Sequence, residues 1–207
     1  GLIIEGKSSE PVYLLINGEE NTIFSAAQIW GKTIPETTHL LEKKCNTQQK
    51  KIQIAAIGPA GENHTKYATI TAGNYREFGR GGTGAVMGSK NLKAIVIDGT
   101  TPIDVANMVA MKKMGKDLVK KLRESAGGQI RRKYGTPEMV EKINENGFWV
   151  VNNFQKGYFD EGRKLEGPQM RKKVVVGDSS CFGCPVGCGK VSQIHSEKFG
   201  DILIEGP

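Results

Sequence analysis

Three cysteines stand within eight residues near the C-terminal end, Cys181-Phe-Gly-Cys184-Pro-Val-Gly-Cys188. No other feature so narrows what the chain can do. An iron–sulfur cluster needs thiolates that converge from a short stretch of backbone, and glycine and proline let that backbone fold around inorganic sulfide. The leading reading is three ligands of a [4Fe–4S] cluster. A tetrahedral zinc site made of the three thiolates and His195 is a second reading, although structural zinc sites usually draw on two separated ligand pairs. Disulfides fit poorly, because a tight triple strains the bridge and strands one thiol. The longer spacing comes second here, unlike the loop of radical enzymes. The remaining cysteine, Cys45, lies far upstream beside Lys43 and Lys44 in no motif. The fourth ligand is therefore expected outside this chain.

At 207 residues, with 38% hydrophobic and 25% charged residues, the sequence reads as globular, one large or two small domains. No apolar run approaches membrane-spanning length. The start, Gly1-Leu-Ile-Ile-Glu-Gly, lacks the basic and apolar regions of a secretory signal, so a cytoplasmic, reducing location is expected. It also reads as mid-strand, and the end at Glu205-Gly206-Pro207 has no tail, which predicts a piece of a longer polypeptide. The net charge of +7 is concentrated between Lys112 and Lys133, where nine basic residues stand against Asp117 and Glu124. Aromatic residues do not interleave them before Tyr134, so nucleic-acid binding is not expected. The lysines read as the solvated side of an amphipathic helix, with docking of an acidic electron-transfer partner as the weaker alternative.

The first hundred residues read as strands and turns. Leu2–Glu5 and Val12–Ile16 are short apolar runs, Asn17-Gly18 is a hairpin signal, and together they predict a β-meander. Ser25 is placed to cap a short helix over Ala26–Trp30, and a second helix is expected over Thr33–Lys44 before a polar break at residues 46–49. Strands resume at Ile52–Ile57 and Leu92–Ile97. Thr100–Asp104 reads as a linker ending in a helix cap. Val105, Met108, Met111, Leu118 and Leu122 then fall on one side of a helix, widened by Met114 and Val119 and ended by Ser125–Gly128. Pro137 opens another helix, stopped by Asn146-Gly147. Residues 151–180 read as irregular surface with a short helix near Gln169. The expected class is α+β: a β-rich domain over residues 1–99, then the start of a mainly helical domain over residues 100–207 that carries the cysteine loop.

Between the two later strands lies the densest glycine region, Arg76-Glu-Phe-Gly79-Arg80-Gly-Gly-Thr-Gly84-Ala-Val-Met-Gly88-Ser-Lys90. Close glycines let a backbone approach an anion, and arginines hold phosphate through charge-assisted hydrogen bonds. Gly79, Gly81 and Gly84 match the dinucleotide fingerprint in spacing, but no buried strand precedes them and no long helix has room to follow. Gly88-Ser-Lys90 reverses the order that a nucleoside-triphosphate loop requires. A tight inter-strand connection explains the same residues, so anion binding and a structural turn both stand on this segment alone.

Four blocks occur in an order that resembles the tungsten-containing aldehyde:ferredoxin oxidoreductase family. They are Ile57-Gly-Pro-Ala-Gly-Glu-Asn63, the run from Gly79 to Ala94, Asn144-Glu-Asn-Gly147 with Asn153-Phe-Gln155, and Cys181 to Gly189. The resemblance implies an oxidoreductase that oxidises aldehydes to carboxylic acids at tungsten, or molybdenum, held by two pyranopterins whose phosphates are bridged by magnesium. It implies pterin contacts at Arg76, Glu77, Gly79 and Arg80, with Glu77 in place of an expected small residue. It also implies that Cys181, Cys184 and Cys188 ligate a [4Fe–4S] cluster passing electrons to ferredoxin or a similar protein, shielded from solvent by Phe182, Pro185 and Val186. A fourth cysteine, an active-site glutamate and a histidine would come from remaining parts of the parent polypeptide, so residues 1–207 alone are expected to be inactive. Reduction of an aromatic acyl-CoA ring within a larger complex, and a non-enzymatic cluster- or zinc-binding module, are the alternatives.

Overall fold

The computed structural model describes residues 1–18, 21–45, 52–73, 76–99 and 102–206. They form two compact units, Gly1–Ile103 and Asp104–Pro207. The polar break at 46–49 and the start of the linker at Thr100 lie outside the described residues.

The first unit is built on a six-stranded sheet of order β2-β1-β6-β3-β4-β5. Its strands are β1 (Val12–Ile16), β2 (Asn21–Ser25), β3 (Gln53–Ala56), β4 (Thr71–Ala72), β5 (Arg76–Glu77) and β6 (Leu92–Ile97). β1 runs parallel to β6, while the other recorded pairs are antiparallel. Alternation along β1 and β6 explains why both faces are covered. Tyr13, Ala94 and Val96 join Ala26, Ile29, Leu41, Ile52, Ile54 and Ala56 in one core, closed by Ile34 and Cys45 of α1 (Ile34–Cys45). Val12, Leu14 and Ile95 face the other way, against Ile57, Met87 and Leu92.

Three sequence expectations change here. The expected meander does not form, because β1, apolar on both faces, takes β6 as its second neighbour. Leu2–Glu5 is not a strand. Ile4 of that segment packs on the second core, and the chain just after it is held by separate bonds, Ser8 N–H to the Lys90 carbonyl, Lys90 Nζ to the Gly6 carbonyl and Asn91 Nδ2 to the Ser8 carbonyl. Ala26–Trp30 closes as a turn, with Trp30 N–H donating to the Ala26 carbonyl.

A buried ion pair ties the sheet to the loop above it. Lys93 of β6 is fully buried, and its ammonium donates to Glu62 Oε1 and to the Lys32 carbonyl at 2.9 Å. Both Glu62 oxygens accept the Gly31 N–H, at 3.0 and 2.9 Å. Burial pushes the Lys93 pKa down, and the Glu62 carboxylate opposes that shift.

The glycine-rich region forms two short helices in backbone contact, α2 (Pro59–Glu62) and α3 (Thr83–Ser89). A methyl group on Gly84 would stand 2.3 Å from the Thr69 carbonyl, and one on Gly88 would stand 2.0 Å from the Gly61 carbonyl. Gly82 precedes α3 with φ of +83° and lies against the Lys66 carbonyl. Packing therefore accounts for Gly82, Gly84 and Gly88. It does not account for Gly81, where an added methyl would meet nothing within 4 Å. Gly88→Ala is accordingly expected to cost about 3 kcal/mol, the upper range for overpacking, whereas Gly81→Ala should change stability by less than about 0.5 kcal/mol. Urea midpoints of the two variants check the contrast.

In the second unit, α4 (Met108–Glu124) is capped by Asn107, whose Oδ1 accepts the Ala110 N–H at 2.9 Å, rather than by Asp104. Ser125 ends α4 and caps α5 (Ala126–Tyr134) through the Gly128 N–H, so Gly127 and Gly128 open a helix instead of closing one. A 3-10 turn at Thr136–Met139 leads into α6 (Val140–Glu145), and a second at Gly162–Leu165 precedes α7 (Gly167–Lys173). Buried Asn144 clamps the intervening loop, its Oδ1 accepting the Phe159 N–H at 2.8 Å and its Nδ2 donating to the Phe159 carbonyl at 3.0 Å.

The rest of the unit is a three-stranded antiparallel sheet, β7 (Val175–Ser179), β8 (Gly189–Ser196) and β9 (Gly200–Gly206). The part expected to be irregular up to residue 180 thus contains β7, and the unit is mixed rather than mainly helical. Every buried hydrophobic side chain recorded among the described residues belongs to the first unit.

Candidate metal and cofactor sites

The cysteine segment is the loop between β7 and β8. Its ends meet where Ser179 pairs with Gly189 across the antiparallel ladder, so residues 180–188 are pinched off as one excursion. The approach is close at Gly189, where a methyl would stand 2.3 Å from Ser179 Oγ and force that hydroxyl to move. The Ser179 hydroxyl donates to Glu205 of β9. Within the loop the Cys184 N–H donates to the Cys181 carbonyl at 3.0 Å, and Gly183 and Gly187 turn the chain with φ of +69° and +61°. These turns bring successive cysteines back along one short loop.

All three thiols are free, Cys181 exposed and Cys184 and Cys188 half-buried. Among the described residues, no three Cys, His, Asp or Glu side chains converge as a metal-binding group. As a donor set, three unpaired thiols on one loop suit iron–sulfur ligation, and the loop would have to draw its side chains together to hold iron and sulfide. His195, needed for a Cys3His zinc site, pairs through Nδ1 with Asp201 Oδ1 at 2.8 Å across β8 and β9. Phe182 is fully exposed and shields nothing here, whereas Pro185 and Val186 are half-buried.

Lys190 follows the loop and is 4% exposed. Its ammonium donates to the Gly187 and Gly189 carbonyls, both at 3.3 Å, and to the Arg132 carbonyl of α5 at 2.8 Å. It also lies 2.9 Å from Asp178 Oδ1, a carboxylate shared with Arg171 of α7. Together the two cations, Arg171 first, hold the Asp178 pKa below the usual carboxylate range. Beside the loop is an open cavity of about 280 Å³, lined by Arg123, Arg132, Asp178, Ser180, Cys184 and Gly187 among others.

Cys45 sits in the first unit, half-buried against the core beside Tyr13. Burial pushes its thiol pKa up and that of Tyr13 to about 12. It behaves as a packed thiol.

The candidate pterin contacts lie at the sheet edge. Arg76 and Glu77 form β5, and the loop through Gly79 and Arg80 leads into α3. Arg76 is half-buried and Arg80 exposed. The Glu77 carboxylate accepts hydrogen bonds from the Thr69 and Thr71 hydroxyls, the latter at 2.9 and 3.0 Å. It is engaged along β4 and β5 as a structural acceptor. Gly79 has φ of +79°, and an added methyl would meet nothing within 4 Å. Two guanidinium-bearing residues beside open, side-chain-free backbone suit a phosphate group. Asn74 and Tyr75, just upstream, lie outside the described residues.

Sequence reasoning missed Lys190 and the Glu62–Lys93 pair. The available signal was position: Lys190 is two residues after the last cysteine, and Glu62 and Lys93 sit in two of the four ordered blocks.

The family profile described as "Aldehyde ferredoxin oxidoreductase, N-terminal domain" matches residues 1–99, and "Aldehyde ferredoxin oxidoreductase, domains 2 & 3" matches residues 113–207. The chain belongs to the aldehyde ferredoxin oxidoreductase family. A tungsten-containing aldehyde ferredoxin oxidoreductase of Pyrococcus horikoshii is 43% identical over 94% of the chain, and that of Pyrococcus furiosus is 42% identical over 93%. An aliphatic sulfonate oxidoreductase, WOR-like subunit, of Pyrococcus furiosus is 29% identical over the whole chain. Among solved structures, the active-site complex BamBC of benzoyl coenzyme A reductase with 1,5-dienoyl-CoA superposes with a TM-score of 0.68 at 28% identity, covering 97% of this chain and 32% of that one. The chain spans about a third of the length of the curated family members it matches, 32% for the Pyrococcus horikoshii enzyme. Among the described residues no helix is long and apolar enough to cross a membrane.

Proposed function

We propose that this chain forms part of a longer cytoplasmic oxidoreductase that oxidises aldehydes to carboxylic acids and delivers the electrons through a [4Fe–4S] cluster to ferredoxin or a similar carrier. The observation that carries the reading is the pinched β7–β8 loop, which presents three free thiols in a chain of this family. Cys181, Cys184 and Cys188 would hold the cluster. Arg76, Arg80 and the open backbone at Gly79 would bind the phosphates of a tungsten or molybdenum bis-pterin, with magnesium between them. When bound, that centre supplies two-electron oxidation of the aldehyde, with water as the oxygen source. The protein's own part is to fix the phosphates by charge and geometry, and to hold the cluster loop between two strands. Glu77 keeps β5 registered on β4 through the threonines. The domain limits 1–99 and 100–207 belong to the same proposal.

The apolar side of α4, with Met108, Met111, Leu118 and Leu122 exposed, supports a larger fold in which further polypeptide covers it. Iron, acid-labile sulfide and tungsten assays on the purified full-length protein, with viologen reduction by an aldehyde, test the reading. Cys184→Ser should remove at least half of the iron while leaving tungsten bound. Full iron and activity in that variant would overturn the ligand assignment. The likeness to benzoyl coenzyme A reductase favours one second reading, reduction of an aromatic acyl-CoA ring. Turnover of benzoyl-CoA without aldehyde oxidation would select it.

A further inference from the structure

We propose that Lys190 is a positioning residue for the cluster loop, and that its charge raises the reduction potential of the cluster held there. The proposal rests on the cluster reading of Cys181, Cys184 and Cys188. A buried ammonium is retained only where its protons are satisfied, and this one is satisfied jointly by the end of the loop and by the elements packed beside it. The carbonyls of Gly187 and Gly189, immediately before and after Cys188, both accept from Lys190 Nζ at 3.3 Å. The same nitrogen binds the Arg132 carbonyl of α5 at 2.8 Å and Asp178 of β7 at 2.9 Å.

One side chain thus joins the loop's last turn to a helix and a strand before any iron arrives. Cys188 is the ligand most constrained, since both flanking carbonyls share one donor. Preorganisation of this kind lowers the ordering cost of ligand binding.

The second consequence is electrostatic. On one-electron reduction the cluster gains one negative charge, with the electron supplied by the substrate-oxidising centre or, in a titration, by dithionite. A fixed positive charge beside Cys188 favours that form, and the low exposure of Lys190 limits screening by solvent. Asp178 acts in the opposite sense. Methionine is close to lysine in length but carries neither charge nor donors. Arginine retains the charge and can donate to several carbonyls.

The test uses the full-length protein carrying Lys190→Met, Lys190→Arg or Asp178→Asn, with iron per chain and the cluster midpoint potential read by EPR-monitored titration. Lys190→Met should lose about half of its iron. In the clusters that remain, the reduced-to-oxidised ratio at fixed potential should fall about tenfold, which is about 59 mV for a one-electron couple. Lys190→Arg should restore the iron and most of the potential. Asp178→Asn should shift the potential upward, a sign that a purely structural role for the Lys190–Asp178 pair does not produce. Wild-type iron and potential in Lys190→Met would overturn the proposal. So would an unchanged or lower potential in Asp178→Asn, and this arm decides the matter if Lys190→Met proves insoluble. Absence of iron and sulfide from the wild-type protein would overturn the cluster reading and this inference together, whereas a normal cluster indifferent to Lys190 would overturn this inference alone.

Discussion

Glu62→Gln is expected to destabilise the N-terminal unit by about 3 kcal/mol, near the lower end of the cost of leaving a buried charge without its counter-ion. Lys93 has no exposed surface, and its remaining recorded acceptor is the Lys32 carbonyl. Glutamine can still accept the Gly31 N–H, so the loss isolates charge from shape. The penalty should depend on pH. Burial already lowers the Lys93 pKa, and removing Glu62 removes an opposing cause and lowers it further. A lysine whose folded pKa lies below its unfolded value of 10.5 releases its proton on folding, so stability rises with pH between those two values. The variant should therefore recover part of its deficit as pH approaches 10.5, with more to recover than the wild type. Urea unfolding followed at Trp30, next to Gly31, in a Trp149→Phe background measures this. A loss below about 1 kcal/mol at neutral pH would mean that water reaches the ammonium. Replacing both partners, as Glu62→Leu with Lys93→Met, should restore most of the stability, because matched apolar groups carry no desolvation cost.

This pair also shows where sequence reading stops. β6 was legible at Leu92–Ile97, and α1 was legible within a residue at each end, because each carries its own periodicity. Lys93 inside β6 resembles any other lysine until Glu62 is known to lie beside it, 31 residues away in sequence. Lys190 was hidden in the same way among many surface lysines. The parallel neighbour of β1 was not legible either, since an apolar run does not reveal which strand it will pair with. Ser125-Ala-Gly-Gly128 misled for a local reason: glycines after a helical run usually end it, but Ser125 accepts the Gly128 N–H and starts α5 at once. The cysteine loop was legible because its chemistry is local, whereas the strands that pinch it depend on the distant pairing of β7, β8 and β9. In the glycine segment sequence alone left two explanations standing, and the structure supplies a packing reason for part of the segment only. Gly82, Gly84 and Gly88 serve close packing, while Gly79 and Gly81 have no neighbour that excludes a side chain.

That division sharpens what loss of both Arg76 and Arg80 should do. A phosphate contact by arginine is planar and often bidentate, so Arg80→Lys keeps the charge, loses the geometry and should weaken cofactor retention modestly. Arg76→Ala should weaken it more, because half-buried Arg76 is the less solvent-screened of the two. Each lost charge-assisted bond costs about 1.5–3 kcal/mol, on the order of a ten- to a hundredfold loss of affinity, so the double alanine variant should be purified with little tungsten or pterin. Iron should remain, because Cys181, Cys184 and Cys188 lie in the other compact unit. Arg80→Ala alone should change stability little beside Gly88→Ala, since Arg80 is exposed and the packing glycines are untouched. Gly81→Ala supplies the complementary arm, being neutral for folding but placing a methyl group where the backbone would approach the phosphates. Wild-type tungsten and pterin content in the double alanine variant would show that this loop does not hold the cofactor, leaving Gly82, Gly84 and Gly88 as sufficient reason for a glycine-rich turn between β5 and β6.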